Sequence, residues 1–199
     1  MEDFDLNTYV VESSESNVYK FDIDKDFENP SQVRDLTRLL DTQTEYDTTI
    51  LRVNHWGGCK FTLLSVMDAI QNSKGQVIAQ VIHASSAGSL LSLVCDDCFT
   101  VKFGEWYIHQ EQSYNFGDTS YQKQNIEFTD KTQRHLFEEV YKGFLTDKEI
   151  DDLCKGTIRD FTFDYIEANE RLVKWREYRD SLVENAEDTN EQEIVEKGE

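Results

Sequence analysis

The chain has 199 residues, of which 38% are hydrophobic and 12% aromatic, enough for one domain with a genuine apolar core. Forty acidic residues against twenty basic ones leave a net charge of −20, which repels nucleic-acid phosphates and anionic membrane surfaces, so no nucleic acid and no membrane is expected as a partner. No apolar run is long enough to span a bilayer, and the Met1-Glu2-Asp3-Phe4-Asp5 start has neither the basic nor the apolar part of a secretion signal, so a cytoplasmic protein is expected.

Composition divides the chain into three. Residues 1–16 hold five acids and no base, and residues 184–199 hold seven acids and one lysine. Neither end carries enough apolar surface to offset its ordering entropy. The sequence therefore predicts a flexible acidic arm over 1–16, an organised domain over 17–180 and a flexible acidic tail over 181–199. The four cysteines, Cys59, Cys95, Cys98 and Cys154, are read as reduced thiols in a chain without a secretion signal. Cys95 and Cys98 have the two-residue gap of a zinc pair, but no second ligand pair accompanies them; no metal and no cofactor is expected.

The domain alternates two periods. Residues 18–23 alternate apolar and polar side chains as a half-buried strand does, and Pro30 opens a helical stretch with Val33, Leu36, Leu39 and Leu40. A second strand follows over 48–53, then a helix marked by Leu63, Val66, Met67 and Ile70, then a third strand over 77–82. A helix begins after Ser86, with Ala87, Leu90, Leu91 and Val94 on its apolar face, and short strands are predicted near 98–102 and 106–109. Strands alternating with helices of this length imply parallel crossovers and an α/β layered fold, in which sites gather at the carboxyl ends of strands. Leu136, Phe137, Val140, Tyr141 and Phe144 then form a stripe at helical spacing within the segment 119–144. A stripe on a protruding helix needs a partner, or else it folds back onto its own domain.

Two loops fall at strand ends. Asn54-His55-Trp56-Gly57-Gly58 follows the second strand, and its glycine pair lets bare N–H groups approach a ligand. His83-Ala84-Ser85-Ser86-Ala87-Gly88 joins the third strand to its helix, and Ser86 stands at the bend, where free N–H groups of the helix could bind an anion formed beside it. Each motif also has a plainer use, as a tight turn and as a helix cap. His109 supplies a base and Asp160 an orienter for it, with Asp164, Asp151 and Asp152 as competitors for that last place.

Together these segments resemble the proteolytic subunit family of the Clp protease, ClpP, and the wider ClpP/crotonase-like fold. Asn54-His55-Trp56-Gly57-Gly58 is similar to the family's Asn-Ser-Pro-Gly-Gly turn, Ala84-Ser85-Ser86-Ala87-Gly88 to its Ala-Ala-Ser-Met-Gly nucleophile turn, and Tyr107-Ile108-His109-Gln110 to its Met-Ile-His-Gln. Asp160-Phe161, followed by Glu167-Ala168, keeps the family's offset for the third catalytic residue. The departures are the bulky His55-Trp56 pair, a missing Gly before the nucleophile turn, and Glu111 where a Pro follows His-Gln.

The resemblance implies repeated strand-helix units with a protruding handle helix over about 119–144, and a serine endopeptidase working through an acyl-enzyme. Ser86, His109 and Asp160 would be the triad, Gly58 and Ala87 the oxyanion donors, and Trp56 and Gly57 would line the substrate cleft. It also implies self-association into heptameric or stacked double rings, a peptide or unfolded protein as substrate, and an AAA+ unfoldase as a further partner. Two other readings stay open: a non-catalytic ring subunit or assembly scaffold, and a crotonase-like acyl-CoA enzyme. A viral capsid maturation protease is a variant of the first reading.

Overall fold

The computed structural model describes residues 9–12, 16–111 and 118–196, with side chains over 16–111 and 118–185. Its centre is a six-stranded sheet in the order β1-β2-β3-β4-β5-β6, formed by Tyr9–Glu12, Asn17–Ile23, Thr48–His55, Gln76–Ser85, Asp97–His109 and Asp160–Asp164. β2 to β5 run parallel, and the edge strands β1 and β6 are antiparallel to their neighbours. The crossovers are α1 (Arg34–Thr42), α2 (Lys60–Asn72) and α3 (Ala87–Val94). This is the α/β layered architecture that the alternating periods predict.

Local chemistry sets the element starts. Asn29 and Gln32 form a capping box around a 3-10 turn at Pro30–Val33 that leads into α1, and Thr146 with Glu149 does the same for α5 (Asp147–Cys154). The core lies between the sheet and these helices. Leu51, Val53, Val77, Ala79 and Val81 from the strands meet Leu36, Leu40, Leu63, Val66 and Leu91 from the helices, all essentially without solvent contact. Trp175 and Leu172 of α6 (Tyr165–Glu196) are buried as well, α6 packing beside β5.

One strand differs from the sequence reading. The two short strands near 98–102 and 106–109 are one strand, β5, interrupted by an outward kink where its register with β4 shifts. At the kink Phe103 takes φ 68°, and a Cβ on Gly104 would come within 2.8 Å of Thr100 Cγ2. Trp106 Nε1 donates to Thr100 Oγ1 at 2.9 Å across the kink and ties the halves into one strand. The apolar stripe takes the second of its two expected fates. Phe137, Val140, Tyr141 and Phe144, at and beyond the end of α4 (Thr119–Val140), are buried in their own domain, with Phe144 stacked on Trp106 at 4.8 Å. The exposed apolar side chains of α4 are instead Tyr121, Ile126 and Phe128, nearer its start.

At the ends, residues 9–12 of the acidic arm pair with β2, while 1–8 and 13–15 lie outside the described residues. α6 continues through the segment read as a tail, to Glu196. Among the described residues no helix is long and apolar enough to cross a membrane.

Candidate active site

β4 alternates buried and half-buried residues, closes on three buried ones, His83, Ala84 and Ser85, and the chain turns at once into α3. Ser86 makes that turn with φ 53° and ψ −118°, a conformation that residues with a Cβ rarely adopt. It holds because Ser86 N–H donates to the Tyr107 carbonyl at 3.0 Å and the Ser86 carbonyl is taken by the first turn of α3. The consequence is a hydroxyl lifted out of the close packing into a cleft of about 430 Å³.

The same cleft is lined by Trp56, Gly58, Ala87 and His109, so the structure gathers four further residues singled out in the sequence around Ser86. Gly57 lies behind them. Gly57 and Gly58 have φ 131° and 122°, and a Cβ on Gly57 would stand 2.8 Å from Ser86 Cβ, while one on Gly58 would strike the Phe27 carbonyl oxygen. Only glycine fits either place. The turn is anchored to Phe27, whose N–H donates to Gly57 O at 2.9 Å and whose carbonyl accepts from Cys59 N–H at 2.6 Å, a bridge that does not use the Gly58 N–H. The Ala87 N–H belongs to the first turn of α3, where amides have no intrahelical acceptor. Gly58 and Ala87 thus line the same cleft as Ser86, with neither main-chain N–H taken up by the Phe27 bridge.

His55 and Trp56, the bulky departures, have separate roles. His55 is fully buried, packs on Phe27 at 4.3 Å, and accepts the Gly57 N–H on Nδ1 at 3.1 Å. Burial pushes its pKa down to about 4, with His83 adding to the fall and Asp26 and the Lys25 backbone opposing it. The ring is thus neutral and can act as an acceptor. Trp56 is 68% exposed at the cleft rim and lies 4.2 Å from the ring of His83, whose Nδ1 is 3.2 Å from Glu105 Oε1. It is a surface residue of the cleft, not core.

The base side is arranged differently. His109 ends β5, and its Nδ1 lies 2.6 Å from the Gln110 carbonyl. A carbonyl only accepts, so Nδ1 carries the proton and Nε2 is left with a lone pair. His109 is not hydrogen-bonded to Ser86 Oγ in this arrangement, although both face one cleft. Asp160 opens β6 directly opposite His109 in the antiparallel register. Its Oδ2, however, accepts the Tyr107 hydroxyl at 3.0 Å, and that bond is the main reason the Tyr107 phenol is raised. Asp164 accepts the Ile166 and Glu167 N–H groups at the start of α6, and Asp151 and Asp152 on α5 pair with Lys155 and Lys148. Each competitor for the orienter's place is engaged away from His109.

Several cleft residues escaped the sequence reading. Leu63, Leu90, Leu136, Phe137 and Tyr141 give the cleft an apolar wall, and Lys60 bridges to Glu111 at 2.9 Å across its rim. Tyr107 was legible in principle, because it lies two residues before His109 on one strand and so shares its face. Cys59 also borders the cleft, and its thiol is lowered chiefly by the Thr62 N–H. Among the described residues no group of His, Cys, Asp and Glu could hold a metal ion.

No curated protein matches the chain significantly. The Clp protease family model, by contrast, matches residues 20–171, a span that runs from β2 into α6 and contains every element of the cleft. The chain belongs to the Clp protease family, and is a ClpP-type peptidase in general kind.

Proposed function

We propose that the protein is a serine endopeptidase of the ClpP type in which Ser86 is the nucleophile. The observation that supports this best is the strained bend at Ser86, which lifts its hydroxyl into a cleft shared with His109 and flanked by the Gly58 and Ala87 amides. In this reading His109 Nε2 takes the Ser86 proton as Oγ attacks a peptide carbonyl, and the two amides bind the oxyanion that forms. His109 then gives the proton to the leaving amine, and water, activated in turn by His109, releases the acyl group. Asp160 is assigned as the orienter. Residues directly opposite in an antiparallel pair have Cβ atoms about 5 Å apart, so turning Asp160 from Tyr107 to His109 requires side-chain rotation alone. Substrate binding would supply the occasion, since catalytic hydrogen bonds often tighten only in the complex.

Trp56 and Gly57 are assigned to substrate binding, Trp56 as a rim against which a peptide side chain rests. Family membership supports assembly into rings, and we assign heptameric or stacked double rings, with unfolded protein as the substrate and an AAA+ unfoldase as a candidate feeder. One observation favours a second reading, a non-catalytic ring subunit: both His109 and Asp160 are bonded to neighbours in place of each other. A fluorophosphonate probe separates the two. It is expected to label Ser86 in the intact protein and to lose that labelling in Ser86→Ala and His109→Ala variants that remain folded. A wild-type protein that does not react, or labelling that survives in both variants, would remove the peptidase reading.

A further inference from the structure

The Ser86 carbonyl is a crowded acceptor. It takes the Ser89 N–H at 3.1 Å and the Leu90 N–H at 3.4 Å, and also the Ser89 hydroxyl at 2.7 Å. A helix serine commonly bonds a carbonyl three residues back. The distinctive part here is a second hydroxyl brought from a distant element, Tyr141 Oη, which lies 2.7 Å from Ser89 Oγ. Because a carbonyl only accepts, the one Ser89 proton goes to Ser86, and the Tyr141 hydroxyl must donate to Ser89 Oγ. Tyr141 is 1% exposed, and burial raises its phenol far above the ordinary range, so it stays protonated as that role requires. The result is a one-way chain from the Tyr141 hydroxyl through the Ser89 hydroxyl to the Ser86 carbonyl.

That carbonyl shares a peptide plane with the Ala87 N–H. In a trans peptide the two point in opposite directions, so a carbonyl pinned toward α3 forces the N–H toward the other side. The other side is the glycine turn: Ala87 N lies 3.7 Å from where a Gly57 Cβ would stand. The strain at Ser86 makes such pinning necessary, because a residue at φ 53° and ψ −118° relaxes by rotating its neighbouring peptide planes. A rotation of this plane would turn the amide out of the cleft.

We propose that the Ser89 and Tyr141 hydroxyls form a peptide-plane lock that holds the Ala87 N–H in place as a preformed oxyanion donor. Both are positioning residues, since neither needs to touch the reacting atoms. The lock presupposes the peptidase reading, and its test is built to fail separately from it. Turnover of a fluorogenic peptide by the full-length protein is compared with that of Ser89→Ala, Tyr141→Phe and Ser89→Thr variants. Losing the lock is expected to lower kcat about ten- to a hundred-fold in Ser89→Ala, below or near the cost of losing an oxyanion donor outright, with KM within about two-fold. Tyr141→Phe should fall between Ser89→Ala and wild type, and Ser89→Thr, which keeps the hydroxyl, should restore turnover.

A second readout excludes a merely structural effect. A short peptide aldehyde, whose adduct with Ser86 carries the oxyanion, should lose affinity for Ser89→Ala in step with kcat, while the matching peptide alcohol should bind as to wild type. An active protein indifferent to Ser89→Ala, or one in which aldehyde and alcohol weaken together, overturns the lock alone. Absence of Ser86-dependent turnover in the unaltered protein removes the peptidase reading and the lock with it.

Discussion

The two halves of the cleft are built to different standards. On the nucleophile side, the Ser86 bend, the Gly57-Gly58 turn and the start of α3 are tied by short buried bonds to Tyr107, His55 and Phe27. On the base side, His109 and Asp160 are half-buried at the ends of β5 and β6, and each is satisfied by a neighbour, Gln110 or Tyr107. The contrast follows from what each half has to do. Donors that stabilise developing charge are most effective when fixed in advance, because moving them during the reaction costs reorganisation. A proton carrier must instead change partners within each turnover. On the peptidase reading, therefore, the electrostatic half is preformed and the proton-transfer half is assembled by substrate.

The largest expected effect breaks the nucleophile side at its centre. Ser86→Ala should reduce peptide turnover by about 10³-fold or more, and His109→Ala by a comparable factor, because members of such a set act as a unit. Adding His109→Ala to Ser86→Ala should then cost almost nothing further, which a double-mutant series of kcat values would read directly. Multiplying losses would show two independent functions.

Next in size is a pair of glycine substitutions, one on each side. Gly57→Ala places a methyl 2.8 Å from Ser86 Cβ at φ 131°, so it should cost about 2 kcal/mol of stability or more and roughly 100-fold in kcat. Gly156 also has positive φ, at 69°, but a Cβ there would meet only the end of the Gln110 side chain at 3.6 Å. Gly156→Ala should therefore cost about 1 kcal/mol and leave kcat within a few-fold. Urea denaturation and steady-state kinetics on the two variants measure how much tighter the nucleophile side is; equal losses would erase the distinction.

The nucleophile side was also the more legible in sequence. A strand that stops shortly before a serine at a bend, and a glycine pair after the preceding strand, are local patterns, and local patterns survive in a one-dimensional reading. The parallel core followed from period alone. The base side depends on β6, whose short run Asp160–Asp164 gave no strand signal, and on which oxygen Asp160 faces, which only the register decides. In the sequence His55 is only half of a bulky departure from the family's turn. It is a buried support of that turn, and nothing in its spacing distinguishes the two. The stripe from Leu136 to Phe144 left its partner open for a related reason: helical periodicity reports that a face will be covered, and here the covering atoms belong to the same chain.

His55 provides the third prediction, because it carries a pH dependence confined to the nucleophile side. Its folded pKa near 4 lies below the ordinary 6.5, so between these values the unfolded chain holds a proton that the folded one does not. Stability should then be complete above pH 6.5 and fall as pH drops toward 4, by about 3 kcal/mol in total from this group. His55→Asn can keep an acceptor for the Gly57 N–H through Oδ1 but has no such proton equilibrium. The difference between the wild-type and His55→Asn denaturation free energies should shrink by that amount from pH 7 to pH 4, while the carboxylates, common to both, cancel. A difference that stays constant with pH would mean that His55 titrates normally and does not hold the turn as a neutral ring.

The smallest effect sharpens the base side. Tyr107 holds Asp160 at 3.0 Å, and its ring lies 5.4 Å from that of His109, so it competes with the imidazole for the carboxylate. Removing the hydroxyl in Tyr107→Phe keeps the ring and its packing but leaves Asp160 with His109 as its neighbour across the strand pair. If assembly of the proton-transfer half limits turnover, kcat should rise about five-fold, since a charge-assisted bond worth roughly 1 kcal/mol no longer has to be exchanged. Unchanged kcat would show that Asp160 reaches His109 without hindrance from Tyr107. A fall in kcat would mean that the tyrosine positions the carboxylate for the imidazole, and the two halves would then be equally preformed.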